Sequence, residues 1–183
     1  MNPPEPTKAE KTLKWVLTIS LIDGWSIIGI AALGMLITVI IGDYSGVMVG
    51  LLIAAAGAME LRGRKLLKRR DPSGMKTLAR SQLFLLAVVL VYCVTRLGSF
   101  DDATVLGNLT PDMEAALKES GIQKADVLPM VRLAFFSIYG GVALGTLLYQ
   151  GGMALYYRAK TPLITEALTT PLRPRVSVLP PSV

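Results

Sequence analysis

The sequence predicts an all-α integral membrane protein: a transmembrane four-helix bundle, made of two antiparallel hairpins, with a short helix outside the membrane. Three observations predict this fold class. Hydrophobic residues make up 52% of the chain and are gathered into long runs. Short polar turns separate several of these runs, and lysines and arginines lie mainly beside their ends. A soluble domain of this size would instead place a charged residue every few positions along its helices.

The first apolar run covers residues 15–41 and follows a lead-in, residues 1–14, that begins with prolines and continues with lysines. Asp23 and Gly24 interrupt this run, which leaves two interpretations open. In one, a long tilted helix carries Asp23 inside the membrane. In the other, residues 8–22 lie flat at the membrane interface and the span begins near Gly24. The second interpretation makes Asp23 an ordinary N-cap in the headgroup region, and we favour that role for it.

Three further apolar runs predict the other spans. The four predicted spans are residues 15–41, 45–61, 81–97 and 131–157. A basic segment, residues 62–80, joins the second span to the third, and an acidic segment, residues 98–130, joins the third to the fourth. The transmembrane domain is therefore assigned to residues 15–160.

Two segments outside the predicted spans carry signals of their own. Thr110 is a good N-cap, Pro111 suits the first helical position and Gly121 suits a helix stop. We therefore expect a short surface helix over residues 111–120. Residues 161–183 are rich in proline and are expected to form an extended or disordered cytoplasmic tail.

The distribution of basic residues predicts a multi-pass protein of the cell membrane with both termini in the cytoplasm, because lysine and arginine in short loops stay on the cytoplasmic side. The lead-in, the basic segment and the chain after the fourth span all carry this excess. The basic segment also predicts contact with anionic lipid headgroups, at up to about 1 kcal/mol per cationic residue near the surface. The residues expected to make this contact are Arg62, Arg64, Lys65, Lys68, Arg69 and Arg70.

Small residues recur at helical spacing in the second and fourth predicted spans. In a bilayer, helix association depends on close backbone approach and van der Waals contact, which small side chains permit. Such stripes pack either the helices of one protomer or an interface with another membrane protein or a second copy of the chain. The predicted packing or partner-interface residues are Gly46, Gly50, Ala54, Ala58, Ser137, Gly141, Gly145 and Gly152.

Two carboxylates near membrane depth, Asp23 and Glu60, are candidate coupling groups for ion or solute movement, because ionisable residues inside a membrane are costly and usually functional. Glu60 also has a more ordinary interpretation, since Arg64 lies one helical turn further along and suits an interfacial ion pair. Gln82 and Gln150 suit hydrogen bonds between helices near the inner face. The sequence does not align these groups as a polar path across the membrane.

Catalytic chemistry is not indicated. The chain has no histidine and one cysteine, Cys93, which lies in an apolar run. It also has no glycine-rich phosphate loop and no nucleophile elbow, so we predict no catalytic residue, no metal site and no cofactor. Nucleic acid is not an expected partner, because the basic residues flank apolar runs. The sequence favours a non-catalytic accessory, assembly or scaffold subunit of a membrane complex; the alternative is a homo-oligomeric channel or a transporter of ions or small solutes.

Overall fold

The computed structural model describes residues 5–107, 110–121 and 123–169, and this part of the chain is helical with no strand. The helices are α1 (Lys8–Ile41), α2 (Tyr44–Lys68), α3 (Ser73–Gly98), α4 (Asp102–Gly107), α5 (Pro111–Glu119) and α6 (Lys124–Thr169). Four of them, α1, α2, α3 and α6, are long and apolar enough to cross a membrane. The prediction of an all-helical chain with four such helices is therefore confirmed.

Helix α1 runs without a break through Asp23 and Gly24, so the interpretation of Asp23 as an N-cap is wrong. The helix begins after Thr7, whose hydroxyl accepts a hydrogen bond from the Glu10 N–H at 3.2 Å, while the Glu10 carboxylate accepts from the Thr7 N–H at 2.8 Å. This capping box satisfies N–H groups that have no partner within the helix. The helix ends at Gly42, whose φ of 75° is a left-handed conformation that glycine adopts without steric cost.

Asp43 sets the short connection between α1 and α2. Its Oδ1 accepts from the backbone N–H groups of Ser45 and Gly46 at 3.0 and 3.2 Å, and its Oδ2 pairs with Arg96 of α3 at 2.5 Å. The hydroxyl of Ser45, the N–H of Gly46 and the Arg96 guanidinium hold the pKa of Asp43 below its ordinary value. The carboxylate therefore keeps these bonds as the pH falls, and loses them only in strongly acidic solution.

Glycines allow the closest approaches between the first three long helices. A Cβ atom at Gly57 of α2 would lie 2.9 Å from the backbone oxygen of Gly24 in α1. A Cβ atom at Gly74 of α3 would lie 2.6 Å from the backbone oxygen of Gly63 in α2. At both places two backbones are in contact, so a side chain would force the helices apart.

The bundle has two buried apolar groups. The large apolar core lies near the α2–α3 turn, at what we name the basic end of the bundle, and contains Val16, Leu67, Met75, Leu78, Ala79, Tyr157, Ile164 and Leu168. The small apolar core lies further toward the opposite end, which we name the acidic end, and contains Ile27, Ala56 and Leu85. The four long helices are therefore packed most tightly at the basic end.

Helix α6 is longer than the predicted fourth span at both ends. Residues 161–169, expected to belong to an extended tail, continue the helix although Pro162 lies inside it. Proline removes a backbone donor and disfavours a helix interior. Here Ile164 and Leu168 are buried in the large apolar core, and this packing outweighs the effect of the proline. Residues 170–183 of the predicted tail lie outside the described residues.

Arg70 fixes the end of α6 to the α2–α3 turn. Its guanidinium Nη2 and Nε donate to the carbonyl oxygen of Leu168 at 2.8 and 3.1 Å. The last carbonyls of a helix have no partner within the helix, and a cation there also interacts favourably with the helix dipole. Arg70 itself has a positive φ of 62°, which turns the chain between α2 and α3. This arginine, expected to contact lipid, therefore makes an internal bond.

The short helix predicted between the third and fourth spans is α5, which covers Pro111–Glu119. Thr110 is its N-cap, with its hydroxyl accepting from the Met113 N–H at 3.3 Å. Gly121, predicted as the stop, has a φ of 71°. The sequence did not predict α4, a single short helix just after α3.

Candidate functional site: a buried polar cluster

All four long helices contribute a side chain to one polar cluster. We name the buried polar cluster as Asp23 of α1, Glu60 of α2, Gln82 of α3, and Tyr149 and Tyr157 of α6. The two candidate coupling carboxylates of the sequence analysis, Asp23 and Glu60, are thus brought together.

A single amide links the two carboxyl groups. The Nε2 of Gln82 donates to the Oδ2 of Asp23 at 2.8 Å and to the Oε2 of Glu60 at 2.5 Å. Gln82 therefore makes the interhelical hydrogen bonds expected of it, and it makes them to both acids at once.

Two tyrosine hydroxyls complete the cluster. The Oη of Tyr149 donates to the Oδ1 of Asp23 at 3.2 Å, and the Oη of Tyr157 donates to the Oε1 of Glu60 at 2.9 Å. Each of the four carboxyl oxygens thus accepts one hydrogen bond from a neutral donor. Such bonds lower the cost of removing a carboxylate from water, although they do not neutralise its charge.

Among the described residues, no lysine or arginine forms an ion pair with Asp23 or Glu60. Arg64, predicted to pair with Glu60, instead donates from its Nε to the carbonyl oxygen of Leu17 in α1 at 2.9 Å. The ion-pair interpretation of Glu60 is therefore wrong. Its side chain points into the bundle, where it is fully buried, while Arg64 lies on the α1 side.

The burial of the cluster is uneven. Glu60, Gln82 and Tyr157 are fully inaccessible, Asp23 is 8% exposed and Tyr149 is 52% exposed. Along the bundle axis, the large apolar core lies on one side of the cluster and the small apolar core on the other. The cluster is therefore exposed only at the side of the bundle, where Tyr149 of α6 lies beside Asp23 of α1.

Two buried amide oxygens in or beside the cluster have no hydrogen-bond partner. They are the Oε1 of Gln82, in the cluster, and the Oε1 of Gln150, which neighbours Tyr149 in sequence and is 8% exposed. A buried acceptor without a donor costs about 1–3 kcal/mol, so each calls for an explanation.

The cluster lies nearer the basic end of the bundle. At about 1.5 Å per residue, Glu60 is roughly 12 Å along the helix from the end of α2 at Lys68 and roughly 24 Å from its start at Tyr44. The described residues contain no group of three or more histidine, cysteine, aspartate or glutamate side chains that could hold a metal ion.

The predicted small-residue stripe of α2 lies only partly in a helix contact. Gly46 and Gly50 are buried against Thr38 and Met35 of α1. Ala54 is half-buried and Ala58 is exposed. Residues spaced four apart rotate by about 40° at each step around a helix of about 3.6 residues per turn, so the stripe gradually turns away from the contact with α1.

The α6 stripe has no helix against it within the described chain. Ser137, Gly141, Gly145 and Gly152 are all exposed, and a Cβ atom at any of these three glycines would have nothing within 4 Å. We name these four residues the α6 small-residue face.

Comparison of the chain with protein-family models, with curated proteins and with solved structures finds no match. Its function must therefore be argued from its own side chains.

Proposed function

We propose that this chain is a multi-pass protein of the cell membrane, with α1–α2 and α3–α6 as two antiparallel transmembrane hairpins and both termini in the cytoplasm. Helix α2, the shortest of the four at 25 residues, is about 38 Å long, more than the roughly 30 Å of a hydrocarbon core. Contacts between α1 and α2 support the hairpin, since Met35 packs on Gly50 and Gly24 on Gly57. Exposed basic residues at the α2–α3 turn support the orientation and contact with anionic headgroups; they are Arg62, Lys65, Lys68 and Arg69.

Within the membrane, the chain acts as a non-catalytic accessory, assembly or scaffold subunit that binds another membrane protein through the α6 small-residue face. The observation that carries this proposal is a contrast between two sets of glycines. Glycines that pack inside the bundle, such as Gly57 of α2 and Gly74 of α3, have atoms of another helix within 4 Å of the position a Cβ atom would take. Gly141 and Gly145 of α6 would let another helix come equally close, but nothing in the described chain lies within 4 Å of their Cβ positions.

The close approach matters because lipid supplies little driving force for helix association. Two helices in a bilayer gain most from van der Waals contact between their backbones, which glycine permits and a larger residue prevents. A helix of a partner protein that packs on the α6 small-residue face would gain this contact without any change in the bundle. A second copy of this chain is the competing occupant.

Replacing Gly141 with leucine is expected to release the partner and leave the bundle folded. The new side chain points into open space, so it does not strain this chain, but it holds a partner helix away from the α6 backbone. We expect at least about tenfold weaker association, corresponding to about 1.4 kcal/mol. The measurement is purification in gentle detergent, mass determination of the intact complex and identification of every co-purifying chain.

Gly29→Leu in α1 is the matched control, since Gly29 also has nothing within 4 Å and lies outside the α6 face. It should retain the partner. A complex that survives Gly141→Leu and Gly145→Leu unchanged would remove this face from the interface, and a partner-free homo-oligomer would favour the second candidate function.

The second candidate is a homo-oligomeric channel or a transporter of ions or small solutes, with Asp23 and Glu60 as coupling carboxylates. The buried polar cluster favours it, because two acids without a cation beside them inside a membrane are costly to keep. Transport coupled to these two acids requires the hydrogen bonds of the buried polar cluster to break and re-form during each transport cycle.

If the chain transports, Asp23→Asn and Glu60→Gln are each expected to abolish flux in reconstituted vesicles, because each removes an ionisable group and keeps a hydrogen-bonding side chain of similar size. Glu119→Gln, at the exposed end of α5, is the control and should leave flux at the wild-type rate. Wild-type flux in both cluster variants, with normal elution of the folded protein, would exclude the coupling role.

A further inference from the structure

We propose that the buried polar cluster binds one exchangeable proton, shared between Asp23 and Glu60. The proposal goes beyond both functions above, because it requires neither a partner nor flux. It rests on the charge balance of the cluster, on its hydrogen bonds and on its burial.

The charge balance leaves room for one positive charge. The groups that face the two acids are the hydroxyls of Tyr149 and Tyr157 from α6 and the neutral amide of Gln82 from α3. Helices α1 and α2 contribute the acids themselves, and no described cation pairs with either. Two carboxyl groups that share a site in a water-poor interior do not both ionise, so one of them retains a proton.

The hydrogen bonds of Gln82 favour a proton over a metal cation. A metal ion between the acids would be bound by the amide oxygen, yet the amide directs its Nε2 toward both carboxyl groups. Its Oε1 is the buried acceptor without a partner. A proton on Asp23 or Glu60 would supply a donor in the same cluster as this unsatisfied oxygen.

The surroundings of the cluster supply no countercharge. Glu60, Gln82 and Tyr157 are fully buried, and Asp23 is 8% exposed. Tyr149 is the most exposed member, but it lies within the fourth long apolar helix, where its exposed face meets lipid in the proposed arrangement. Two carboxylate charges in such a site are costly, which favours retention of one proton.

Infrared spectroscopy of the wild-type protein in nanodiscs tests the proposal. We expect a protonated carboxyl C=O band at neutral pH, equal to one group per chain, which shifts in D2O. Asp23→Asn and Glu60→Gln should each remove or displace this band, and Glu119→Gln should leave it. Absence of the band in the wild type, or its persistence in both cluster variants, overturns the proposal. Loss of the band on adding Na+ at constant pH also overturns it, in favour of a cation site.

Labelling of the unmodified protein keeps the test valid if the variants fold poorly. Dicyclohexylcarbodiimide adds to a protonated carboxyl group: the proton moves to a carbodiimide nitrogen, the oxygen bonds to the central carbon and nothing is released. We expect one label per chain at neutral pH, mapped by mass spectrometry to Asp23 or Glu60. Labelling confined to other carboxyl groups overturns the proposal.

Discussion

Gly74→Leu is expected to lower the free energy of unfolding of the bundle by about 3 kcal/mol or more. A Cβ atom at this position would lie 2.6 Å from the backbone oxygen of Gly63 and 2.7 Å from the Leu67 side chain. The α2 and α3 backbones would have to separate, and the large apolar core beside them would open. Overpacking usually lowers the free energy of unfolding by about 1–3 kcal/mol and sometimes more; a clash with backbone places this variant at or above the upper end.

The measurement is unfolding in mixed micelles, followed by circular dichroism, together with elution of the detergent-solubilised protein after mild heating. Gly29→Leu is again the matched control, since the same side chain there meets open space. It should unfold at the wild-type denaturant concentration or slightly above it, because leucine has the better helix propensity. Equal stability of Gly74→Leu and wild type would contradict the close α2–α3 contact.

Gln82→Leu is expected to have the second largest effect. Leucine fills a similar volume but donates no hydrogen bond, so the Oδ2 of Asp23 and the Oε2 of Glu60 both lose the Nε2 on which they depend. Each buried acceptor left without its donor costs about 1–3 kcal/mol, and more if it is charged, and two acceptors are affected here. We therefore expect the free energy of unfolding at pH 7 to fall by about 3 kcal/mol or more.

The effect of Gln82→Leu should depend on pH in one direction. At low pH both acids are protonated, and each then carries a donor that can satisfy the other. The loss of stability relative to wild type should thus be greatest at neutral or alkaline pH and smaller in acid. Denaturant titrations of both proteins across the pH range measure this difference. A loss that is equal at every pH would mean that Gln82 acts only by filling space.

The helices were predictable because their signals are local. Apolar runs mark the spans, Thr110 and Pro111 mark the start of α5, and both signals need only neighbouring residues. The continuity of α1 through Asp23 and Gly24 was not predictable in this way. Aspartate followed by glycine is typical of a helix boundary, but Asp23 is satisfied by Gln82 and Tyr149, which lie far along the chain.

The formation of the buried polar cluster depends on the axial offset between neighbouring helices. At about 1.5 Å per residue, Asp23 lies roughly 22 Å from the start of α1, while Glu60 lies only roughly 12 Å from the end of α2. The two acids meet because α1 extends past the α2–α3 turn. No pattern within one helix encodes that offset. Gln82 was predicted to bond between helices, but its two partners were not predicted, and neither were Tyr149 and Tyr157.

The position of Tyr149 links the two outward-facing features of α6. It lies one turn beyond Gly145 on the same side of the helix, and its hydroxyl reaches Asp23. A neighbour that covers the α6 small-residue face would therefore also contact Tyr149 and change the proton affinity of the acids. By thermodynamic linkage, protonation would then change the affinity for that neighbour by the same factor. Assembly and proton binding would thus be coupled, and the Tyr149 side chain would be the group that links them.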